Sequence, residues 1–144
     1  MDENTTLKKI ARRALDLVAE NSIVGLGTGR AATEFVRALG ERVRQGFKVR
    51  GIPTSEATAE VAKEYGIPLL QLDDVDAIDI TVDGADEVDP NLDLIKGYGG
   101  ALVREKIVAA ASKREVILVG SEKLVSVLGS RGKLPVEVIP FAYA

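Results

Sequence analysis

Short apolar runs alternate with amphipathic stretches along this chain, and that alternation constrains the fold more than any other feature. Apolar residues recur at helical spacing over residues 7–18, and the run over residues 22–27 then predicts a buried strand that ends in a glycine turn. A second helical pattern follows over residues 32–43. Because a helix that joins two strands favours parallel pairing, the pattern predicts an α/β fold with a mostly parallel sheet.

The same alternation continues further along the chain and predicts helices on both faces of the sheet. We expect further strands at residues 47–52, 67–70, 77–82, 116–119 and 136–139. We expect further helices at residues 55–65 and 101–111. Ligands of such folds bind at the carboxyl ends of strands, so the loops that follow strands are the first places to look for a site.

Two residue types are missing from the sequence, and their absence limits the chemistry. With no cysteine and no histidine among 144 residues, the chain offers no Ser-His-Asp triad, no cysteine nucleophile and no Cys/His zinc site. Acid-base chemistry must therefore use Asp, Glu, Lys or Tyr. The length fits one domain that needs no disulfide or structural metal.

Charge and hydropathy argue against two kinds of partner. The formal net charge is −3, no Lys/Arg-rich run is present and tryptophan is absent, so the sequence shows neither a basic footprint nor a stacking platform for nucleic acid. No apolar run approaches the ~18 residues that a membrane span requires. We therefore expect a cytoplasmic protein that binds neither nucleic acid nor a membrane.

A glycine turn, Gly25-Leu-Gly-Thr-Gly-Arg30, follows the first predicted strand and begins a helix. An NAD-binding turn needs a third glycine where Arg30 stands, and an acid at the end of the second strand, so NAD is disfavoured. Free backbone N–H groups, the helix dipole, the Thr28 hydroxyl and the Arg30 guanidinium suit a single phosphate. The alternative is a plain tight turn with a solvated arginine.

Hydroxyl side chains follow the second predicted strand, at the same edge of the sheet as the glycine turn. Thr54, Ser55 and Thr58 could bind a polar ligand. The alternative is that Ser55 only caps the next helix, which is the more common use of serine at such a position.

Three carboxylates lie within five residues at Asp83-Gly-Ala-Asp-Glu87, with Asp83 at the carboxyl end of a predicted strand. Clustered acids raise one another's pKa and destabilise the fold unless a cation or ligand hydroxyls meet them, so this turn is a candidate site. Carboxylate oxygens of this kind could also bind Mg²⁺, which prefers oxygen ligands. The alternative is an Asp-Gly turn whose acids are solvated.

A glycine loop with a lysine, Lys96-Gly-Tyr-Gly-Gly100, precedes the last predicted helix. Lys96 suits a phosphate or a developing oxyanion. Glu105 on that helix has apolar neighbours at helical spacing, and partial desolvation there would raise its pKa toward the range of a general base. The alternative is a surface glutamate beside methyl groups.

Together these segments closely resemble the A-type ribose-5-phosphate isomerase family. The resemblance runs the full length of the chain and includes Leu134-Pro-Val-Glu-Val-Ile-Pro-Phe141, and its most specific blocks are Asp83-Gly-Ala-Asp-Glu87 and Arg104-Glu-Lys106. It implies a Rossmann-like α/β domain. It also implies an isomerase of the pentose phosphate pathway that interconverts ribose 5-phosphate and ribulose 5-phosphate without metal or cofactor.

The resemblance also implies roles for individual residues and an assembly. Glu105 matches the general base that moves a proton through an enediolate, and Lys96 matches a residue that stabilises the enediolate charge. Asp83 and Asp86 match acids that hold substrate hydroxyls and assist ring opening. The substrate-binding residues that we expect are Thr28, Gly29, Arg30, Ala31, Ser55, Gly84, Ala85, Gly97, Tyr98, Gly99 and Lys133. We expect a homodimer or homotetramer.

Several positions depart from the family pattern. The phosphate turn commonly reads Thr-Gly-Ser-Thr, and here Arg30 and Ala31 replace the last two residues. Tyr98 interrupts a Lys-Gly-Gly-Gly loop, so its side chain must point away or narrow the pocket. A further substrate-contacting lysine usually precedes the Pro-Val-Glu-Val block. Lys133 lies closer to that block than expected, and ungapped alignment places Arg131 there.

Family members are usually well over 200 residues long, so we expect residues 1–144 to be a single catalytic domain truncated after about residue 140, without the family's small second domain. A non-catalytic sugar-phosphate-binding domain of a regulator is the alternative function, although such a chain should carry a basic helix-turn-helix module. An amino-sugar-phosphate isomerase or deaminase is a weaker alternative, because that chemistry commonly uses histidine.

Overall fold

The computed structural model describes residues 2–143, whose largest element is a parallel sheet. The helices are α1 (Glu3–Leu15), α2 (Arg30–Arg44), α3 (Glu56–Glu64) and α4 (Leu102–Ala110). The strands are β1 (Ile23–Leu26), β2 (Arg50–Pro53), β3 (Ile80–Gly84), β4 (Glu87–Val88), β5 (Leu94–Ile95) and β6 (Glu115–Leu118). In this part of the chain, no helix is both long enough and apolar enough to cross a membrane.

The four main strands lie in the order β2-β1-β3-β6, and all neighbours are parallel. The short strands β4 and β5 pair antiparallel in a separate hairpin. Because the chain continues from β1 to β2 on one side and β3 lies on the other side, the carboxyl ends of β1 and β3 border a crevice.

Apolar side chains cover both faces of the sheet. On one face, Val24 and Val82 pack with Phe35 of α2 and Ala11 of α1 in the main core. On the other face, Val108 of α4 packs with residues of β2 and of the segment before β3. The predicted α/β fold, with a mostly parallel sheet and helices on both faces, is therefore confirmed.

The helix starts differ in a way that matters for the site. Asp2 caps α1 by accepting a hydrogen bond from the Thr5 N–H at 2.7 Å, and Ser55 caps α3 by accepting from the Thr58 N–H at 3.2 Å. The α2 helix begins after Gly29 with no side-chain cap. The first N–H groups of α2 are therefore open to a ligand.

Two predicted strands are not formed. Residues 136–139 are irregular and largely exposed, because no other segment within residues 2–143 pairs with their backbone. Residues 67–70 make only one bridge, between Leu69 and Gly51. The hairpin of β4 and β5 was not predicted, since two strands of two residues each show no alternation in the sequence.

The close approach of β1 and β3 at their carboxyl ends requires glycine at position 27. A Cβ atom on Gly27 would lie 2.6 Å from the Asp83 Cα and 2.3 Å from the Asp83 carboxylate. The backbone atom cannot rotate away as a side chain could, so β1 or β3 would have to shift.

We predict that Gly27→Ala lowers the free energy of unfolding by about 1–3 kcal/mol, the usual cost of overpacking a buried site. Gly99→Ala is the control, because a Cβ there meets nothing within 4 Å. It should change stability by less than about 0.5 kcal/mol. Urea unfolding of both variants measures this, and equal stability of the two would contradict the close packing of β1 against β3.

Candidate active site

A cavity of about 440 Å³ opens at the carboxyl ends of the parallel strands. Its walls come from the start of α2, the turn after β3, the loop between β5 and α4, and the segment after β6. The charged residues of the wall are Glu3, Arg30, Asp86, Lys96, Glu105, Glu122, Lys123 and Arg131. The crevice predicted from the strand order is therefore a pocket lined by charge of both signs.

Three charged side chains meet in one buried cluster. The Lys96 ammonium lies 3.2 Å from Asp83 Oδ2 and 3.4 Å from Glu105 Oε1, and it also donates a hydrogen bond to the Gly84 carbonyl. The Lys96 side chain is 14% exposed, and the two carboxylate side chains are 1% and 7% exposed. One cation thus faces two acids in a poorly solvated place, where charges interact more strongly than in water.

Strand alternation places Asp83 in this cluster. Ile80 and Val82 point into the core beneath α1 and α2, so Thr81 and Asp83 point to the opposite face, which α4 covers. The Asp83 carboxylate accepts hydrogen bonds from the Thr28 N–H at 3.1 Å and the Gly84 N–H at 2.7 Å, both at Oδ1. Asp83 is fully buried and lies behind the cavity wall, so in this structure it contacts Lys96 rather than the open pocket.

Helix α4 presents Glu105 to the cavity from its first turns. Its start is held by Glu137, whose Oε2 accepts a hydrogen bond from the Val103 N–H at 2.7 Å. Glu105 is only 6% exposed, so the alternative of a surface glutamate is wrong. The Pro-Val-Glu-Val block, distant in sequence, thus supports the helix that carries this carboxylate.

The pKa of Glu105 is raised to about 7 from its ordinary value of 4.5. Desolvation by burial is the main cause, and the negative charge of Asp83 and a hydrogen bond with that acid add to it. Lys96 acts in the opposite direction and lowers the pKa. Near neutral pH the carboxyl group is therefore present in both protonation states, which is the condition a general acid-base group needs.

The open N-terminus of α2 lies on the cavity wall with Thr28, Gly29, Arg30 and Ala31. The Thr28 hydroxyl is engaged inside the fold, 2.7 Å from the Thr54 hydroxyl and 2.9 Å from Ser55 Oγ. What the turn offers a ligand is therefore backbone N–H groups and helix dipole rather than that hydroxyl. Arg30 forms an exposed ion pair with Glu3 at 2.7 Å on the same wall.

The structure separates the other expected binding residues into two groups. The small residues Gly84, Ala85, Gly97 and Gly99 line the cavity. Three described residues, Ser55, Tyr98 and Lys133, lie outside it, since Ser55 caps α3 and the Tyr98 hydroxyl donates to the Lys133 carbonyl. The Tyr98 ring therefore points away from the pocket, and the Tyr98 backbone N–H donates a hydrogen bond to Asp86 Oδ2 at 3.1 Å.

Two basic residues on the wall come from the segment after β6. Arg131 is the residue that ungapped alignment favoured, and its guanidinium lies 3.4 Å from the Asp86 carbonyl oxygen. Lys123 was missed. Inspection of the loop after β6, by the rule that ligands bind where strands end, would have found it.

Within residues 2–143, no group of three or more acidic side chains is arranged to hold a metal ion. The positive charge beside Asp83 is the ammonium of Lys96.

Comparison with known proteins gives the family. The sequence profile of the ribose 5-phosphate isomerase A (phosphoriboisomerase A) family matches residues 50–144. The chain belongs to this family. It is 58% identical over 137 residues to ribose-5-phosphate isomerase A of Nitrobacter hamburgensis, covering 95% of this chain and 59% of that protein.

Solved structures of the ribose-5-phosphate isomerase A family agree with this assignment. A D-ribose-5-phosphate isomerase in complex with phospho-erythronic acid superimposes with a TM-score of 0.89 at 43% identity, covering 91% of this chain and 58% of that one. Ribose 5-phosphate isomerase A from Methanocaldococcus jannaschii gives 0.86 at 43% identity, covering 90% and 58%. This family member thus spans about three fifths of the length of these relatives.

The raised pKa of Glu105 predicts how stability depends on pH. The folded chain binds this proton more tightly than the unfolded chain, so the free energy of unfolding falls as pH rises from about 4.5 to about 7 and levels off above that. Glu105→Gln removes this contribution. As pH rises from 5 to 8 the variant should therefore gain stability relative to wild type, by roughly 2 kcal/mol.

Urea unfolding at several pH values measures this difference. Glu60→Gln is the matched control, because Glu60 lies on the exposed face of α3 with its side chain 73% exposed. Its stability should follow the wild-type pH dependence. Parallel curves for wild type and Glu105→Gln would show that Glu105 ionises with its ordinary pKa.

Proposed function

We propose that this chain carries the catalytic groups of a ribose-5-phosphate isomerase, which interconverts ribose 5-phosphate and ribulose 5-phosphate through an enediolate. The observation that carries the proposal is the position of Glu105, buried in the cavity wall beside Lys96, with a pKa of about 7. Membership of the family supports the choice of substrate. The mechanism needs neither a metal nor a nucleotide cofactor.

Glu105 is the proposed general base. In the open-chain aldose, its carboxylate removes the proton on C2, and the electrons of that bond form the C1–C2 double bond of an enediolate. The protonated Glu105 then returns the proton to C1 while a proton moves between the two oxygens, so the product is the ketose and the enzyme is unchanged. Two carbons exchange oxidation level within one molecule, so no external oxidant or reductant takes part.

Lys96 is the proposed stabiliser of the enediolate. Its ammonium lies 3.4 Å from Glu105 Oε1, so a substrate carbon within reach of Glu105 has its oxygens close to a fixed positive charge. Asp83 keeps that ammonium in place and raises the pKa of Glu105. A charge held in position before the reaction stabilises the transition state without reorganisation.

The phosphate end of the substrate is proposed to bind at the start of α2. The open N–H groups there, with no acidic residue in the first turn, suit an anion. Arg30, which pairs with Glu3, lines the same cavity, as do the basic residues Lys123 and Arg131 and the acid Glu122. Asp86, which also lies on the wall, is an acceptor for sugar hydroxyls.

The ligand named with one relative fits this arrangement. Phospho-erythronic acid, bound by the D-ribose-5-phosphate isomerase compared above, has a phosphate at one end and a carboxylate at the other. A carboxylate resembles an enediolate in shape and charge. A cavity with anion-binding backbone at one side and the Lys96 ammonium at another can accept both ends of such a molecule.

We predict that Glu105→Gln abolishes most turnover but leaves substrate binding in place. Glutamine keeps the shape of the side chain but cannot accept the carbon-bound proton, so turnover should fall about 10²- to 10⁴-fold, the usual contribution of a positioned general base. Ketose formation from ribose 5-phosphate measures turnover, with a metal chelator present throughout. Calorimetry on the same variant measures binding of ribose 5-phosphate.

The control is again Glu60→Gln, which should retain wild-type turnover and binding. Wild-type turnover in Glu105→Gln would remove Glu105 from the mechanism. If the wild-type chain binds ribose 5-phosphate and forms no ketose, the chain is a binding domain rather than an isomerase. If turnover stops in the chelator and returns with Mg²⁺, the metal-free mechanism is wrong.

A further inference from the structure

A third buried acid lies outside the cluster described above. Glu87, the first residue of β4, is fully buried, and no lysine or arginine of the described chain forms an ion pair with it. Its Oε1 accepts hydrogen bonds from the Gly129 N–H at 3.1 Å and the Arg131 N–H at 3.4 Å. Its Oε2 has no hydrogen-bond partner.

The loop that donates these bonds is shaped around the carboxylate. Gly129 has a φ of +92°, a left-handed conformation that glycine adopts without strain. With that turn, two N–H groups of one short segment reach the same oxygen atom. Backbone N–H groups that converge in this way form a concave binding site for an anion, and here the anion is a side chain of the same chain.

Burying a carboxylate at this position is energetically unfavourable. Taking a charge out of water is unfavourable unless hydrogen bonds or a counter-charge compensate, and here two backbone donors compensate at one oxygen only. An apolar side chain of similar size would avoid that cost. What the carboxylate supplies, and an apolar side chain could not, is attachment of the 129–131 loop to β4.

The attached loop carries a residue of the cavity wall. Arg131 lines the cavity, and its guanidinium approaches the carbonyl oxygen of Asp86, the residue just before Glu87. The Glu87 side chain and the Asp86 backbone therefore hold Arg131 from two sides. Because the Arg131 side chain is otherwise exposed, these contacts define where its charge lies.

We infer that Glu87 is a positioning residue, which holds the 129–131 loop so that the Arg131 guanidinium contacts the bound phosphosugar. This role rests on the proposed function and extends it to a residue with no contact with the cavity. A positioning residue of this kind affects substrate binding through Arg131 and leaves the Glu105 chemistry unaltered.

Kinetics on single and double variants test the inference. We expect Arg131→Ala to raise KM for ribose 5-phosphate roughly 10-fold or more, the effect of losing a charge-assisted contact. Glu87→Ala should raise KM by a similar factor while kcat changes less than about 3-fold. The KM of the double variant should be no higher than that of Arg131→Ala alone, because Glu87 acts only through Arg131.

Amide hydrogen exchange gives a second readout that does not need turnover. In Glu87→Ala the Gly129 and Arg131 amides should exchange at least 10-fold faster, while amides in β1 keep their wild-type rates. Glu87→Gln retains an uncharged acceptor and should show a smaller increase in these exchange rates. It replaces Glu87→Ala in the experiment if the alanine variant does not fold. Glu60→Gln is the control and should match wild type in both experiments.

Two results would overturn the inference. The first is unchanged exchange at Gly129 and Arg131 in both Glu87 variants, and the second is a double variant whose KM increase equals the product of the two single increases. A wild-type chain that forms no ketose refutes the proposed function instead. The exchange rates would then still decide whether Glu87 attaches the loop.

Discussion

The Lys96 ammonium, placed between the carboxylates of Asp83 and Glu105, is the interaction on which the rest of this site depends. Without the ammonium, two acids would face each other in a poorly solvated place, and one of them would stay protonated. Without Asp83, only desolvation by burial would oppose the ammonium, and the pKa of Glu105 would be lower. The three groups together leave Glu105 able both to take and to return a proton near neutral pH.

The fold brings these three groups together from distant parts of the sequence. Asp83 comes from the end of β3, Lys96 follows β5, and Glu105 comes from α4 on the opposite face from the main core. Supporting contacts are as specific as the cluster itself. Gly27 lets β1 approach Asp83, and Glu137 holds the start of the helix that carries Glu105.

Much of this could be predicted because it follows from local periodicity. The alternation along β3 places Asp83 at a strand end, and the apolar neighbours of Glu105 on a helix predict a desolvated carboxylate with a raised pKa. Local patterns cannot show which polar side chains reach the pocket. Asp83 lies behind the wall and Tyr98 points away from it, because tertiary contacts with Lys96 and Lys133 decide their orientation.

The predictions from sequence that failed, and the residues that were missed, have similar physical causes. Residues 136–139 have the composition of a strand, but a strand also requires a partner, and none pairs with them within residues 2–143. Lys123 was missed because the turn after β6 contains no glycine cluster or acid cluster, and only its position after a strand marks it. Glu87 was recognised as part of an acidic turn, yet its attachment to a loop more than forty residues away is invisible to any local pattern.

Burial and the negative charge of Asp83 raise the pKa of Glu105, so its carboxyl group gains and loses a proton near neutral pH. Carbon-13 NMR titration of the Glu105 side-chain carboxyl group, assigned by comparison with Glu105→Gln, measures this pKa directly. The account predicts a midpoint near pH 7, against an ordinary value of 4.5. A midpoint at the ordinary value would contradict it, because Glu105 would then be too weak a base for the proposed proton transfer.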